Sequence, residues 1–240
     1  ADYYNTSSTI LATSDLASDY GNTYGPTGRV DMMDYSVGDH TVYSKMALNW
    51  TRPKVVTDSG TLTLRPFAWE GESILIKNNW NGSAMDEYLA IEFYTPTRLN
   101  YADSRSAYGS VRLMSGYGLK VYHVDARLGY YRTDNSGTFL GYVNDTEPSS
   151  FPADVQLNDT YYQKIAHTNT ASTSENGYPL YHLLESSGEN TFLLGNAATN
   201  ATLFQAGDSF GVDTFTDFTF HDGSSLGYTF DIDSLTTYEA

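Results

Sequence analysis

Short apolar runs, each closed off by turn-forming residues, dominate the second part of the chain. They are rich in β-branched and aromatic residues and are bounded by Gly, Asn, Asp or Pro, which is typical of strands in an antiparallel sheet. The runs lie at 54–57, 61–65, 73–77, 87–94, 119–124, 161–166, 178–184, 217–220 and 226–232. The stretch 132–159 consists mostly of turn-forming residues and is predicted to be a long surface loop. The pattern favours a mainly β fold, with an antiparallel β-sandwich as its architecture.

Upstream of these strands the pattern changes to loop and helix. Residues 1–40 are dense in Asp, Tyr, Gly, Asn and Ser and are predicted to form an ordered loop. The apolar residues Val42, Met46 and Trp50 then recur at intervals of four, which predicts a short helix over 42–48.

We predict one domain boundary, at Arg52-Pro53. A residue that precedes proline is pushed out of the helical region, so the helix cannot continue past Arg52. The sequence contains no internal repeat and no low-complexity linker that would mark another boundary. The chain therefore divides into residues 1–52, a small loop and helix segment, and residues 53–240, the β-sandwich domain.

Charge and composition exclude several classes of binding partner and chemistry. The chain has 13 Lys+Arg against 29 Asp+Glu, a formal charge of −16, which repels nucleic acid and anionic membrane surfaces. No apolar run approaches the roughly 20 residues of a membrane span. Cysteine is absent, which excludes disulfides and thiolate chemistry. A low charged fraction of 18% with 21 Tyr suits an extracellular β-rich surface, so we predict a secreted or cell-surface protein. Many exported proteins of Gram-positive bacteria lack cysteine, which favours such a source.

Three segments carry a resemblance to one protease family. The first is Ala-Asp-Tyr-Tyr at 1–4. The second is Arg-Val-Asp-Met-Met-Asp-Tyr-Ser-Val-Gly-Asp-His at 29–40, followed by Tyr-Ser-Lys at 43–45 and Asn-Trp at 49–50. The third pairs Glu-Tyr-Leu-Ala-Ile-Glu at 87–92 with Gly-Leu-Lys-Val-Tyr-His-Val-Asp-Ala-Arg at 118–127. Together they resemble the immune inhibitor A-like secreted zinc metallopeptidases, a metzincin-like family.

The resemblance implies roles for two residues of the first two segments. In this family a His-Glu-x-x-His helix is followed by a Leu-Gly-Leu turn and then x-Asp-Tyr-Tyr. The two His and a third ligand bind zinc, and the Glu polarises the metal-bound water. By this match Asp2 is the third zinc ligand of the intact protein. Met33, with Met32 as the alternative, is the Met-turn residue beneath the metal. Within the chain itself, Met33 is expected to fill a gap in the core.

The His-Glu-x-x-His motif does not occur in this sequence. None of its five histidines is followed four residues later by another; they are His40, His123, His167, His182 and His221. We therefore expect the C-terminal portion of such a protease, starting downstream of the zinc helix, with residues 1–52 as the remnant of the catalytic domain. The chain would hold no catalytic residue and would act as a structural or substrate-positioning scaffold. The expected partners are the upstream catalytic segment and protein substrates, with zinc only in the intact protein.

Two further groups of residues have the chemistry of metal ligands. His123 and Asp125 lie two apart on a predicted strand and so point to one face, which is ligand-like spacing; a structural hydrogen-bonding role is the alternative. Hard carboxylate ligands on loops suit calcium, and a solvated acidic surface is the alternative. These carboxylates form an N-terminal group, Asp31, Asp34 and Asp39, and a C-terminal group, Asp213, Asp217, Asp231 and Asp233.

A function from another class is also open. Aromatic platforms beside Asn and Asp are how β-sandwich modules bind sugars, and Trp69, Trp80 and the tyrosines of 101–131 are candidates. The chain would then be a noncatalytic secreted module that binds glycan or protein at the cell surface. Aromatic residues also fill sandwich cores. The two functions are distinguished by whether the encoding gene continues upstream into His-Glu-x-x-His.

Overall fold

The strands assemble into three sheets within the residues that the computed structural model describes. Those residues are 27–34, 36–106, 112–136, 139–143, 155–157, 160–166, 169, 179–189, 192 and 196–236. The helices are α1 (Val42–Ala47), α2 (Phe67–Glu70) and α3 (Tyr101–Arg105), with 3₁₀ turns at Arg98–Asn100 and Asn200–Thr202. The strands are β1 (Lys54–Val55), β2 (Ser73–Ile76), β3 (Glu87–Tyr94), β4 (Gly118–Asp125), β5 (Leu128–Asp134), β6 (Phe139–Val143), β7 (Val155–Leu157), β8 (Thr160–Ala166), β9 (Tyr181–Leu184), β10 (Ser209–Phe210) and β11 (Phe230–Asp231).

The largest sheet has the strand order β1-β2-β3-β4-β9. Its pairs are antiparallel except β1 with β2, which are parallel. β3 and β4 pair along their whole length, from Glu87 opposite Asp125 to Tyr94 opposite Gly118. Every residue of β3 is buried, so both faces of this central sheet are covered. A four-stranded antiparallel sheet, β6-β5-β8-β7, and the ribbon β10-β11 complete a mainly β fold.

One face of the central sheet is covered by α1. Alternate residues of β3 and β4 meet the apolar side of this helix in one hydrophobic cluster. Its members include Val42, Tyr43, Met46, Tyr88, Ala90, Tyr94, Tyr122 and Val124. Residues on both sides of Pro53 thus share a core, while the domain boundary itself stays a prediction.

The opposite face is covered by residues 203–232, which we call the C-terminal cover. Its buried side chains pack on Leu89 and Ile91 of β3 and on Val121 of β4 in a second hydrophobic cluster. The cover contributes Phe204, Phe210, Phe220, Leu226 and Ile232 to that cluster. Apart from the short ribbon β10-β11 it has little regular structure, and stacked aromatic rings contribute to its packing. Phe210 lies 5.2 Å from Phe230 and 4.8 Å from Phe215, centroid to centroid.

The predicted loop over 132–159 is wrong in part, because it contains β6, β7 and the end of β5. Its turn-forming residues mark a hairpin rather than a loop. At the hairpin, Asp134 accepts hydrogen bonds from the backbone N–H and the hydroxyl of Ser136, at 2.9 and 2.6 Å. Such a side-chain turn reverses the chain and lets β5 and β6 pair.

The helix α1 and the strands β2, β3 and β4 confirm their predictions closely, whereas two other predicted strands do not form. Residues 61–65 are mostly exposed and make no ladder with a neighbour. In the segment 217–220, Phe218 and Phe220 do pack against the second cluster, but only one isolated bridge, Thr219 with Ser225, forms. No helix within the described ranges is long and apolar enough to cross a membrane.

Candidate functional site

The strongest concentration of ionisable side chains lies where β3 begins and β4 ends, beneath the C-terminal cover. It comprises Glu87, His123, Asp125, Arg127 and His221, which we call the Glu87 cluster. Glu87 and Asp125 are opposite one another in the β3–β4 register, and His123 shares their face because it lies two residues from Asp125. His221 comes from the cover, directly after a phenylalanine that is buried in the second cluster.

Glu87 is the fully buried centre of the cluster. Its Oε1 lies 2.9 Å from His123 Nε2 and 3.5 Å from His221 Nδ1, and it accepts the backbone N–H of His221 at 2.5 Å. Its Oε2 accepts no hydrogen bond from the described residues and lies 3.5 Å from Arg127 Nη2. Oε1 therefore connects β3 with β4 and with the cover. Among the described residues, the nearest cation to Oε2 is Arg127, at 3.5 Å.

Asp125 is held by a paired contact with Arg127. The guanidinium donates from Nε to Oδ1 and from Nη2 to Oδ2, both at 2.8 Å, and His221 Nδ1 lies 2.7 Å from Oδ2. Burial acts to raise the pKa of Asp125, but the hydrogen bonds from Arg127 and His221 outweigh it and hold that pKa well below its usual range. Asp125 is therefore a carboxylate at every physiological pH.

The imidazole rings of His123 and His221 lie side by side, next to aromatic side chains. Their ring centroids are 4.6 Å apart, and the ring of Phe218 lies 5.0 Å from that of His123. Burial lowers the pKa of His123, although the hydrogen bond with Glu87 opposes the shift. His123 is therefore neutral at physiological pH, and a neutral imidazole has one unprotonated ring nitrogen.

The cluster has the geometry of a small metal-binding group. One oxygen of Glu87 and one ring nitrogen each of His123 and His221 all lie within 4.8 Å of one another. The predicted pairing of His123 and Asp125 on one face is thus observed. Asp125, however, accepts two hydrogen bonds from Arg127. The possible metal-ligand atoms close to His123 belong to Glu87 and His221.

Asp31, one of the three N-terminal carboxylates predicted as possible calcium ligands, is surrounded by hydrogen-bond donors of the chain. It is fully buried, and its Oδ2 accepts the backbone N–H of Thr41 at 2.8 Å and the hydroxyls of Thr41 and Ser44 at 2.6 and 2.9 Å. Its Oδ1 accepts the backbone N–H of Met33 at 2.8 Å. Its oxygens thus meet hydrogen-bond donors, and the carboxylate ties a tight turn to the start of α1.

The other two acidic residues of that loop make separate contacts. Asp39 forms an ion pair of 2.5 Å with Lys45. Asp34 is buried against the hydroxyl of Thr27, and burial raises its pKa to about 6. No three of the described His and carboxylate groups other than Glu87, His123 and His221 bring their ligand atoms together. The four C-terminal carboxylates, Asp213, Asp217, Asp231 and Asp233, are all exposed.

The proposed Met-turn residue is on the surface. Met33 is 55% exposed and Met32 is 38% exposed, so the expectation that Met33 fills a gap in the core is wrong. The reason is the turn itself, because Asp31 anchors its backbone inward and the two methionines project outward. Asp2, the residue implied as third zinc ligand, lies outside the described residues.

The tryptophans named as glycan platforms are engaged within the chain. The indole N–H of Trp69 donates to Thr97 at 2.7 Å, and the guanidinium of Arg98 lies 3.7 Å from its ring centroid. The indole N–H of Trp80 donates to the carbonyl of Ser83 at 2.8 Å. The indole N–H of each ring is therefore bonded within the chain, and one face of Trp69 is covered by Arg98.

Sequence reasoning missed Glu87, Arg127 and His221. The signal for Arg127 was local, since it follows Asp125 by two residues. Glu87 and His221 could be found only by knowing the strand register and the path of the cover. None of the protein-family models, curated proteins or solved structures with which the chain was compared matches it.

Proposed function

We propose that this chain is the noncatalytic C-terminal scaffold of a secreted zinc-dependent endopeptidase, with residues 1–52 as a remnant of the catalytic domain and an antiparallel β-sandwich behind it. The observation that carries the proposal is the Asp31 turn. It holds Met32 and Met33 at the surface, 38% and 55% exposed, where an upstream catalytic segment could contact them. The chain alone is inactive, because it has no His-Glu-x-x-His sequence.

The support under the turn is continuous down to the central sheet. Asp31 binds Thr41 and Ser44, which lie at the start of α1. The next backbone N–H, that of Val42, donates to Glu92 of β3 at 2.8 Å. A chain of hydrogen bonds to charged groups, each contributing about 1.5–3 kcal/mol, therefore connects the methionine turn with the buried strand.

In the intact protein the upstream catalytic segment would supply the two His and the catalytic Glu, this chain would supply Asp2, and the zinc ion would supply an activated water for peptide hydrolysis. The described residues would do none of this chemistry. Their part is to hold the floor of the cleft and to position protein substrates.

The proposal is tested on the full-length product of the encoding gene beside the chain of residues 1–240. We expect the long form alone to cleave casein, and chelation to abolish the cleavage. In the long form, Met33→Ala should weaken the binding of catalytic zinc more than the matched control Met32→Ala. A long form that has no peptidase activity and no His-Glu-x-x-His would overturn the proposal.

The second candidate is a noncatalytic module that binds glycan or protein at the cell surface. It is favoured by two aromatic side chains that stay open to solvent, Trp50 at 64% and Tyr101 at 56% exposure. Binding of the chain to insoluble polysaccharides, with Trp50→Ala and Tyr101→Ala as variants, tests it. Binding that both variants retain would exclude these two rings as a platform.

A further inference from the structure

We propose that Glu87, His123 and His221 bind a divalent transition-metal ion of the zinc type, which fastens the C-terminal cover to the central sheet. The inference does not depend on the proposed peptidase function. It concerns a site within residues 87–221, separate from the catalytic zinc that the family resemblance implies at Asp2. The inference can therefore be tested on this chain alone, whatever the result for the peptidase.

The ligand types select the class of ion. Two imidazole nitrogens and one carboxylate oxygen are a set that zinc uses, commonly with a further ligand in the fourth position. Calcium and magnesium take oxygen ligands almost throughout, so two imidazoles disfavour them. Imidazole also suits copper, nickel and cobalt, and the choice among these ions follows geometry and availability.

The distances fit one small ion. Zinc bonds of 2.0–2.2 Å in a tetrahedral arrangement place neighbouring ligand atoms about 3.3–3.6 Å apart. The observed separations from Glu87 Oε1 are 2.9 Å to His123 Nε2, somewhat shorter than that range, and 3.5 Å to His221 Nδ1, within it. All three ligand atoms lie within 4.8 Å of one another, so rotations of their side chains would bring them onto one ion.

Burial provides an independent reason for a cation here. Glu87 is fully buried, yet its Oε2 accepts no hydrogen bond from the described residues. A buried carboxylate is unfavourable unless its charge is compensated and its oxygens are bonded. Arg127 is already bound through two hydrogen bonds to Asp125 and reaches Oε2 only at 3.5 Å. A divalent ion bound at Oε1 would add a positive charge directly beside this carboxylate.

Metal binding exchanges hydrogen bonds for metal bonds. Each ligating ring nitrogen must be unprotonated. His123 Nε2 would exchange its hydrogen bond with Glu87, and His221 Nδ1 its hydrogen bond with Asp125, for bonds to the ion. Asp125 keeps both hydrogen bonds from Arg127, and the backbone N–H of His221 can still donate to Glu87. No covalent or redox step is involved.

The position of the ligands defines the consequence for the fold. Glu87 and His123 lie on β3 and β4, whereas His221 lies on the cover, 134 residues from Glu87. An ion held by all three would cross-link the cover to the sheet at the edge of the second hydrophobic cluster. Binding to the folded state alone raises stability with metal concentration.

The test uses the untagged chain of residues 1–240, because an oligohistidine tag itself binds zinc. After treatment with a chelator, the protein is dialysed against zinc, and metal content and thermal unfolding are measured. We expect about one zinc ion per chain and a rise in Tm that scales with the logarithm of zinc concentration. His123→Gln and His221→Gln should each lower zinc affinity at least tenfold. The matched control His40→Gln, on the other side of the sheet, should leave it unchanged.

Gln can still donate a hydrogen bond to Glu87 or Asp125, so each variant is first checked for native circular dichroism without zinc. If a variant does not fold, the wild-type chain decides the matter by NMR of its imidazole rings during a zinc titration. Saturable shifts confined to two of the five histidines, with loss of their hydrogen-bonded N–H signals, support the site. No zinc binding by the wild type, or equal binding by all variants, overturns it.

Discussion

Glu92 and Lys120 lie opposite one another on β3 and β4 and form a buried ion pair of 2.5 Å on the face that α1 covers. The other oxygen of Glu92 accepts the first backbone N–H of α1, from Val42. The pair thus joins two strands and a helix. Burial raises the pKa of Glu92, and the ammonium of Lys120 opposes that shift.

We expect Lys120→Met to destabilise the fold by about 3–5 kcal/mol, because it leaves the Glu92 charge buried and uncompensated. The double variant Glu92→Gln/Lys120→Met should be less destabilised than Lys120→Met alone. Urea unfolding measures both. The control is Lys54→Met, which removes an exposed pair with Glu72 worth about 0–1 kcal/mol. Equal losses for Lys120→Met and Lys54→Met would contradict the assignment.

Asp31→Ala should cost about 3 kcal/mol, since the backbone and hydroxyl donors at the start of α1 lose their shared acceptor. The loss should be accompanied by faster proteolysis within the turn that carries Met33. Asp58→Ala serves as the control, because Asp58 is exposed and accepts only a local backbone N–H, that of Ser59. If both variants unfold at the same denaturant concentration, the Asp31 network has no stabilising role.

The burial of Asp34 should make the free energy of unfolding depend on pH. Its pKa rises from 3.8 to about 6 on folding, mainly through burial, so the protonated form is favoured in the folded state. This contribution is fully present below about pH 4 and is lost as pH rises through 6, by up to about 3 kcal/mol. Asp34→Asn carries no charge, so its stability relative to the wild type should increase from pH 4 to pH 7.5. If the free energies of unfolding of the wild type and of Asp34→Asn change in parallel over that range, the prediction is refuted. The control variant Asp58→Asn should run parallel to the wild type.

Gly118 lies where the cover approaches the sheet closely. A Cβ there would lie 2.7 Å from the Cβ of Leu203 and 2.9 Å from the carbonyl oxygen of Phe204. We expect Gly118→Ala to lower the free energy of unfolding by about 1–3 kcal/mol through overpacking. At Gly60 a Cβ meets nothing within 4 Å, so Gly60→Ala is the control. Thermal unfolding of the two variants should differ; a Gly118→Ala protein as stable as the control would mean that the cover shifts easily.

The sequence predicted what depends on local pattern. The runs at β3 and β4 are long, apolar and bounded by turn residues, and both formed where expected. The common face of His123 and Asp125 followed from strand periodicity alone. The acidic cluster of the N-terminal loop did not indicate the hydrogen bonds of Asp31, because its partners are backbone and hydroxyl donors that a charge pattern does not reveal.

The features that the sequence did not predict depend on contacts between residues far apart in the chain. The register of β3 against β4 places Glu87 beside Asp125, and nothing within either strand specifies that pairing by itself. His221 joins them through a cover with little regular structure, whose path is set by aromatic packing. The segment 217–220 shows the same effect, because its apolar residues serve the second cluster without forming a strand.

The order of the segments along the chain has a consequence for synthesis on the ribosome. The sheet face formed by Leu89, Ile91 and Val121 is covered by residues that emerge much later, since Glu87 and His221 are 134 residues apart. At translation rates of about 5–20 residues per second, that interval lasts roughly 7–27 s. During this time the nascent sheet has one apolar face without its native partner, so the growing chain is open to chaperone binding and to self-association until the last aromatic residues have been added.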